Sequence, residues 1–283
     1  MAKNRALQQW RVEDSIELYG IRNWGAGYFD VSDAGEVVIC PQGPKGPQVS
    51  IPEVIAGLKE RGYDMPVLLR VENILDSRIA NIHESFRKAI KNLNYTGSYR
   101  GVFPIKVNQQ QQVVEKIAQF GSTYHHGLEV GSKAELIAAV SLMRDREACI
   151  VCNGYKDEEF IDLGLQALRL GFNVLFVLEM PSELEVVLER SKALGVRPNI
   201  GVRAKLAVKA SGHWTDSGGE RSTFGLSPAQ IVDVVDTLKA NDMLDCFKLL
   251  HYHLGSQVSN IRDIRTGVME GARLYVGLVQ EGA

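Results

Sequence analysis

The sequence lacks the features that mark several classes of protein. Its formal net charge is only −2 over 283 residues, so no excess of one sign indicates a surface for nucleic acid or anionic membrane. No apolar stretch is long enough to span a bilayer, and residues 1–10 lack the apolar core of a signal peptide. These absences predict a cytoplasmic protein that binds neither nucleic acid nor membrane.

Cysteines are also few, and they occupy positions 40, 149, 152 and 246. Cys149 and Cys152 form a C-x-x-C pair, but no second cysteine or histidine pair completes a zinc site. The pair lies in an apolar, strand-like run, where residues three apart point to opposite faces. We therefore predict four reduced, mostly buried thiols.

The chain does contain a regular alternation of strand and helix patterns, within an ordinary globular composition of 45% hydrophobic and 23% charged residues. The alternation starts at about Pro66, with the short apolar run Pro66–Val71 and a helix from Asp76 to Leu93. Such alternation demands an α/β fold. Because no G-x-G-x-x-G follows the first strand, a barrel is favoured over a Rossmann sheet. Six strands are predicted, at residues 102–107, 127–130, 149–152, 174–178, 200–203 and 247–253.

Helix-start signals support this assignment. Ser132 with Glu135 fits a capping box, and Ser227 followed by Pro228 fits an N-cap with proline at the first helical position. Before the alternation, residues 24–32 and 35–40 predict a hairpin with its turn at 32–35, and a short helix follows from Ser50 to Gly62. We thus divide the chain into an N-terminal β-rich segment, 1–62, and a β/α region, 63–283.

Lys106 is the most informative residue, because it ends the first strand of the regular alternation. Loss of water in a cleft favours a neutral amine, and a neutral amine can form a Schiff base with an aldehyde such as that of pyridoxal phosphate (PLP). The alternative is a lysine whose amine simply reaches solvent from the barrel mouth. Other candidates also lie where a predicted strand gives way to a loop or helix: Glu129, Arg203, His251, His253, Gly255 and Ser256. In a barrel, all of these strand ends meet at one site.

Five segments in this order closely resemble the PLP-dependent decarboxylases of the alanine-racemase-like barrel fold, and within them the bacterial biosynthetic arginine decarboxylases. The resemblance runs from about Leu18 to the last residue. It implies a (β/α)8 TIM-type barrel that is truncated here after about the sixth βα unit, and an N-terminal segment that belongs to a missing β-domain. The segments are Pro104–Gln109, Leu128–Leu136, Val151–Lys156, Gly218–Gly225 and His253–Gln257.

The resemblance also implies roles for single residues. Lys106 would form the Schiff base with PLP, and His253 would stack on its ring; a satisfied core histidine is the alternative. Ser256 would contact the phosphate, which Gly255 lets the backbone approach. Arg203 would lie near the phenolic oxygen, or form a surface ion pair instead. Glu129 resembles the family acid of the second strand, whereas Glu135 and His251 are interpreted as a capping partner and a structural residue.

The implied reaction is decarboxylation of L-arginine to agmatine and CO2, in putrescine and spermidine biosynthesis. Magnesium and a homodimer or higher assembly are expected from the family, although no carboxylate cluster predicts the metal site. The phosphate-binding glycines, the acid for the pyridine nitrogen and the residues that choose the substrate side chain lie in the missing half. We therefore expect this chain alone to be poorly soluble and inactive.

Three alternatives remain. The first is a decarboxylase or racemase for another amino acid, such as ornithine or diaminopimelate. The second is a catalytically silent protein that keeps the fold and binds a homologous partner. The third is a barrel without PLP, in which Lys106 attacks a carbonyl substrate directly. The polar loop 210–222 is expected to be solvated, or else to line the cavity or a subunit contact.

Overall fold

The computed structural model describes residues 9–207, 222–256 and 258–283. The chain divides into two compact units, Met1–Asn94 and Tyr95–Ala283. The boundary that we placed at 62/63 concerns the family's domains and stays a prediction. The four cysteines all lie among the described residues and are free thiols, three of them buried, which agrees with the sequence-based expectation.

The first unit contains the predicted hairpin. Strands β1 (Phe29–Val31) and β2 (Val37–Ile39) pair antiparallel, and β3 (Val49–Ser50) joins β2. In the turn, the Gly35 N–H donates to the Ser32 carbonyl at 2.8 Å. The first strand is shorter than predicted, because Trp24 lies in a short helix rather than in the strand. Two helices that the patterns missed precede the hairpin, α1 (Val12–Leu18) and α2 (Ile21–Gly25).

Two longer helices complete this unit, α3 (Ile51–Glu60) and α4 (Glu72–Asn92). Ser50 caps α3 as expected, since its hydroxyl accepts from the Glu53 N–H at 3.3 Å. The apolar run Pro66–Val71, in contrast, forms no strand in the described structure, and Leu68 is exposed. The prediction that this run opens the strand–helix alternation is therefore wrong, because its apolar side chains have no neighbouring strand to pair with.

The second unit is a parallel sheet of six strands whose order along the sheet is their order along the chain. A doubly wound sheet reverses its strand order at a switch point, whereas a barrel adds each strand beside the last. This topology confirms the barrel-type fold over the Rossmann alternative. The strands are β4 (Val102–Pro104), β5 (Gly127–Val130), β6 (Cys149–Cys152), β7 (Asn173–Leu178), β8 (Ile200–Ala204) and β9 (Phe247–Tyr252).

Helices follow these strands at the predicted places: α5 (Gln111–Gly121), α6 (Lys133–Leu142), α7 (Glu158–Arg169), α8 (Ser182–Leu194), α9 (Pro228–Ala240) and α10 (Ile261–Gln280). Ser227 and Gln230 form a reciprocal capping box at α9. At α6, Ser132 caps the helix, but the Glu135 carboxylate accepts from the Gly131 N–H at 2.7 Å. The predicted capping box there is therefore displaced by one residue.

The core of the second unit lies between the sheet and these helices. Strands β5 to β8 are buried on both faces, as a parallel sheet covered by helices requires. Among the helices that the structure describes, none has the length and apolar character needed to cross a bilayer. The sheet and helices thus form a rigid frame, and the candidate site lies at the carboxyl ends of its strands.

Candidate active site

Lys106 lies two residues beyond the end of β4, in a 3-10 turn (Ile105–Val107), and not within the predicted strand 102–107. The strand ends early because Pro104 lacks an N–H that could continue the ladder. Ile105 is buried beneath the turn, whereas the Lys106 side chain is 64% exposed. The prediction of a desolvated amine is therefore wrong among the residues that the structure describes. The Lys106 side chain is exposed at the carboxyl end of the sheet.

Glu129 is the partner of this lysine. It lies opposite Pro104 on β5 and is buried, and its Oε1 accepts from the Lys106 Nζ at 3.3 Å. The same oxygen accepts from the Asn153 Nδ2 at 3.0 Å. Among the described residues, Glu129 Oε2 and Asn153 Oδ1 are buried without a hydrogen-bond partner. Because unpaired buried acceptors are costly, this cluster is suited to bind a further donor.

Arg203, on β8, forms an ion pair, but not the solvated pair that we considered from the sequence. Its Nη1 donates to Glu179 Oε1 at 2.7 Å, and both side chains are largely buried, at 16% and 4% exposure. Glu179 directly follows β7. The Arg203 guanidinium also lies over the Phe224 ring, 5.8 Å from its centroid. The arginine is thus held in a fixed orientation beside the mouth.

Two histidines lie at the carboxyl end of the last strand. His253 follows β9 and is exposed, so the alternative of a core histidine is wrong. Partial burial, together with Arg203 and Lys106, lowers the pKa of His253. On β9, His251 pairs in register with Arg203, and its burial lowers its pKa to about 4, with a further contribution from Arg203. Both imidazoles are therefore neutral at pH 7.

Gly255 and Ser256 lie in the loop after β9, with Ser256 exposed. Gly255 adopts a φ of +134°, which residues with side chains rarely take, so this position requires glycine. Of the quoted segments, Gln257 and residues 218–221 lie outside the described residues, and so does most of the loop 210–222. The structure thus brings Lys106, Glu129, Arg203 and His253 to one end of the sheet, with the glycine loop following β9.

Sequence reasoning missed four polar residues near this end of the sheet: Asn153, Lys156, Glu179 and Glu183. Glu179 follows the apolar run 174–178, so the strand-end rule that singled out Lys106 would also have found it. Asn153 and Lys156 lie within a segment that we quoted, but no role was given to them. Nothing in the sequence distinguishes Glu183, in the first turn of α8, from other acids at helix starts.

Comparison with known proteins identifies the family. Residues 79–283 match the family described as "Pyridoxal-dependent decarboxylase, pyridoxal binding domain". The chain belongs to this family. The match covers the whole six-stranded sheet and every candidate residue named above. The expected resemblance to PLP-dependent decarboxylases is thereby confirmed.

Relatives of this decarboxylase family give a finer likeness. The chain is 48% identical over 275 residues to a biosynthetic arginine decarboxylase of Rhodopirellula baltica, and 43% identical over 272 residues to that of Phocaeicola vulgatus. These alignments cover 97% and 96% of this chain, but only 41% and 43% of the relatives. The chain therefore spans about two fifths of the length of the curated relatives it matches.

Solved structures agree with this assignment. The biosynthetic arginine decarboxylase of Campylobacter jejuni matches with a TM-score of 0.84 at 34% identity, over 93% of this chain and 42% of that chain. Diaminopimelate decarboxylase of M. jannaschii matches with a TM-score of 0.63 at 21% identity, over 92% of this chain and 55% of that chain. The second likeness supports the fold alone.

The site fits the cofactor of this decarboxylase family. An amine suits an aldehyde, and the unpaired acceptor atoms of Glu129 and Asn153 lie beside it. His251 Nδ1 is a third buried polar atom without a partner among the described residues. Of the groups of PLP, the hydroxyl could donate to these acceptors and the aldehyde could react with the Lys106 amine. The Gly255 loop leaves room for close approach of the backbone to the phosphate.

Magnesium finds no comparable fit. Across the residues that the structure describes, no group of three or more His, Cys, Asp or Glu side chains could hold a metal ion. The magnesium expected from the resemblance therefore stays a prediction, and no chemical step is assigned to it.

Proposed function

We propose that this chain supplies the PLP-binding barrel of an arginine decarboxylase, which converts L-arginine to agmatine and CO2 for polyamine biosynthesis. The Lys106–Glu129–Asn153 cluster at the ends of three adjacent strands is the observation that carries this proposal. The names of the relatives support arginine as the substrate. A homo-oligomeric assembly and a cytoplasmic location remain predictions from the resemblance and the sequence.

Each candidate residue has a role in holding the cofactor. Lys106 would hold PLP covalently through its ε-amine, and its exposure gives the amine the freedom to exchange with the substrate amine. His253 would lie against the ring, where a neutral imidazole avoids repulsion from Arg203 and Lys106. Ser256 and the backbone at Gly255 would contact the phosphate, and Arg203 the phenolic oxygen. Once bound, PLP supplies an electron sink for the electron pair that stays behind when CO2 leaves.

Glu129 has the clearest task among the protein groups. Its Oε1 accepts a hydrogen bond from the Lys106 Nζ at 3.3 Å and thereby fixes where this nitrogen lies. Asn153 holds the same oxygen from the other side, which limits rotation of the carboxylate. A lysine held in this way would be oriented toward the cofactor and could still move away from Glu129.

Absorbance of the purified chain with PLP, before and after borohydride reduction, tests the proposal. Reduction should fix PLP to Lys106, and peptide mapping should find the label there. Lys106→Ala should lose the label, whereas Lys133→Ala should keep it, because Lys133 is an accessible lysine in the surface ion pairs with Asp157 and Glu159. Equal labelling of wild type and Lys106→Ala would overturn the assignment of Lys106.

Decarboxylation assays on the same preparation separate the alternatives. CO2 release from L-arginine, but not from L-lysine or L-ornithine, supports the proposed substrate. Release from another basic amino acid would reassign the substrate within the family. A chain that holds PLP on Lys106 and releases no CO2 from any of the three would match both the expected inactivity of this chain alone and the catalytically silent protein.

A further inference from the structure

A second ionic cluster lies beside the candidate site, and the proposed function does not use it. The Lys156 side chain is completely buried and that of Glu183 is 2% exposed, with the Lys156 Nζ 3.3 Å from Glu183 Oε2. The Lys156 Nζ also donates to the Gly154 carbonyl at 2.6 Å. Burial lowers the pKa of Lys156, and Glu183 opposes this shift. An apolar pair would fill such a place at less cost, so this pair calls for a reason beyond packing.

Glu183 ties two strand ends together through backbone amides. Its Oε1 accepts from the Lys156 N–H at 3.2 Å, in the loop after β6, and its Oε2 accepts from the Glu179 N–H at 2.7 Å, just after β7. Charged acceptors make the stronger class of hydrogen bond. The carboxylate therefore fixes the backbone of Glu179, and the Lys156 Nζ holds this carboxylate in place through its contact with Oε2.

Glu179 in turn holds Arg203. Its backbone is fixed on both sides, because its carbonyl also accepts from the Gly225 N–H at 2.9 Å. Its side chain accepts from Arg203 Nη1 at 2.7 Å, one of the three nitrogens that carry the five N–H donors of a guanidinium. The contacts thus run without a break from Lys156 through Glu183 and Glu179 to Arg203, across the ends of β6, β7 and β8.

We propose that Lys156, Glu183 and Glu179 form a positioning chain that sets the orientation of the Arg203 guanidinium for the bound cofactor. Glu179 acts by direct contact, and the buried pair acts through the backbone of Glu179. The inference rests on the proposed function, since Arg203 needs a fixed orientation only if it faces a ligand. Rigid support of this kind is what keeps binding groups in productive geometry.

Two variants of the full chain test the inference, with a third as control. Glu179→Gln removes the charge that Arg203 contacts, and Glu183→Gln removes the charge that fixes Glu179. Asp162→Asn is the matched control, because it breaks the two-pronged 2.7 Å pair with Arg190 between α7 and α8. All three lose an ion pair of this unit, but only the first two lie on the chain to Arg203.

The first readout needs no cofactor. Arginine side-chain 15N NMR should give resolved, slowly exchanging N–H signals for Arg203 in the wild type and in Asp162→Asn. Glu179→Gln and Glu183→Gln should broaden or average those signals. Unchanged Arg203 signals in both glutamine variants would overturn the positioning chain. If the glutamine variants average the Arg203 signals but the wild type does not bind PLP, the positioning chain stands and the proposed function is refuted.

The second readout is the Kd for PLP, which is measured from the absorbance change of the aldehyde on binding. Each glutamine variant should weaken binding by about tenfold, the effect of one lost charge-assisted contact, and Asp162→Asn by less than about twofold. In an Arg203→Met background, Glu183→Gln should cause no further loss, because it acts through Arg203. Additive losses would mean that Glu183 acts on PLP binding independently of Arg203 and would refute the inference.

A folding failure does not spoil the test. Glu183→Gln strands a buried ammonium, so the double variant Lys156→Met with Glu183→Gln restores an uncharged interior. This double variant should fold and still show averaged Arg203 signals, because the Glu179 N–H has lost its charged acceptor. A double variant with wild-type Arg203 signals and wild-type Kd for PLP would also overturn the proposal.

Discussion

Acid should destabilise this protein through His251. The imidazole lies on β9 beside Arg203, and its burial, with the positive charges of Arg203, His253 and Lys106, lowers its pKa from 6.5 to about 4. Glu179 acts in the opposite direction and raises the pKa. Between pH 6.5 and 4, the unfolded chain therefore binds a proton at this residue and the folded chain does not. Stability falls as the pH drops through this window.

The size of the effect follows from the pKa values. Each pH unit between the unfolded and folded pKa is worth about 1.36 kcal/mol, so the drop from 6.5 to about 4 corresponds to about 3 kcal/mol. This is a substantial part of the stability of a typical domain. The pKa of His253 is lowered by the same neighbours, so a smaller loss in the same direction remains when His251 is replaced.

Urea unfolding followed by circular dichroism at pH 7, 6, 5 and 4 measures this loss. Wild type should lose about 3 kcal/mol more than His251→Gln over that range, since glutamine carries no titrating proton. Tyr252→Phe, on the same strand, removes no imidazole and should keep the pH dependence of the wild type. Parallel curves for wild type and His251→Gln would refute the burial of a neutral imidazole as the cause.

Two further predictions concern the frame. Gly164→Ala would place its Cβ 2.5 Å from the Phe176 ring in the core, so we expect a loss of about 1–3 kcal/mol in urea unfolding. Gly57→Ala is the control, because it meets nothing within 4 Å in α3 and should stabilise by up to about 1 kcal/mol. Ser227→Ala removes the hydroxyl that accepts from the Gln230 N–H and should cost about 1 kcal/mol, whereas Ser227→Thr should cost less. A Gly164→Ala protein of wild-type stability would contradict the packing argument.

The sheet could be predicted from the sequence because its signals are local and repeated. Each strand of the second unit is a short apolar run, and four of the six following helices start with a side-chain cap, as at Ser227. The first unit gave weaker signals. Pro66–Val71 is as apolar as a strand yet forms none, since a strand needs a neighbour and the run itself does not encode one.

The candidate site was predictable in its location and less so in its contacts. The strand-end rule placed Lys106, Glu129, Arg203 and His253 at one edge, and the topology agrees. The partner of Arg203 could not be derived, because Glu179 lies 24 residues away, just after a neighbouring strand whose register the sequence does not state. The exposure of Lys106 could not be derived either, since a lysine at a strand end can be enclosed or exposed with the same local sequence.

The two acid–base pairs of the site share one plan and differ in one property. In each pair, a buried carboxylate at one strand end holds a basic group that follows or ends a neighbouring strand: Glu129 holds Lys106, and Glu179 holds Arg203. The lysine is 64% exposed and its contact is 3.3 Å, whereas the arginine is 16% exposed and its contact is 2.7 Å. A covalent anchor must leave its acid whenever substrate replaces it, so a long, solvated contact suits it. A group that only orients a ligand gains from a short, buried one, because every loss of orientation weakens binding. Under the proposed function, the difference in exposure therefore separates Lys106, the proposed covalent anchor, from Arg203, the proposed fixed contact.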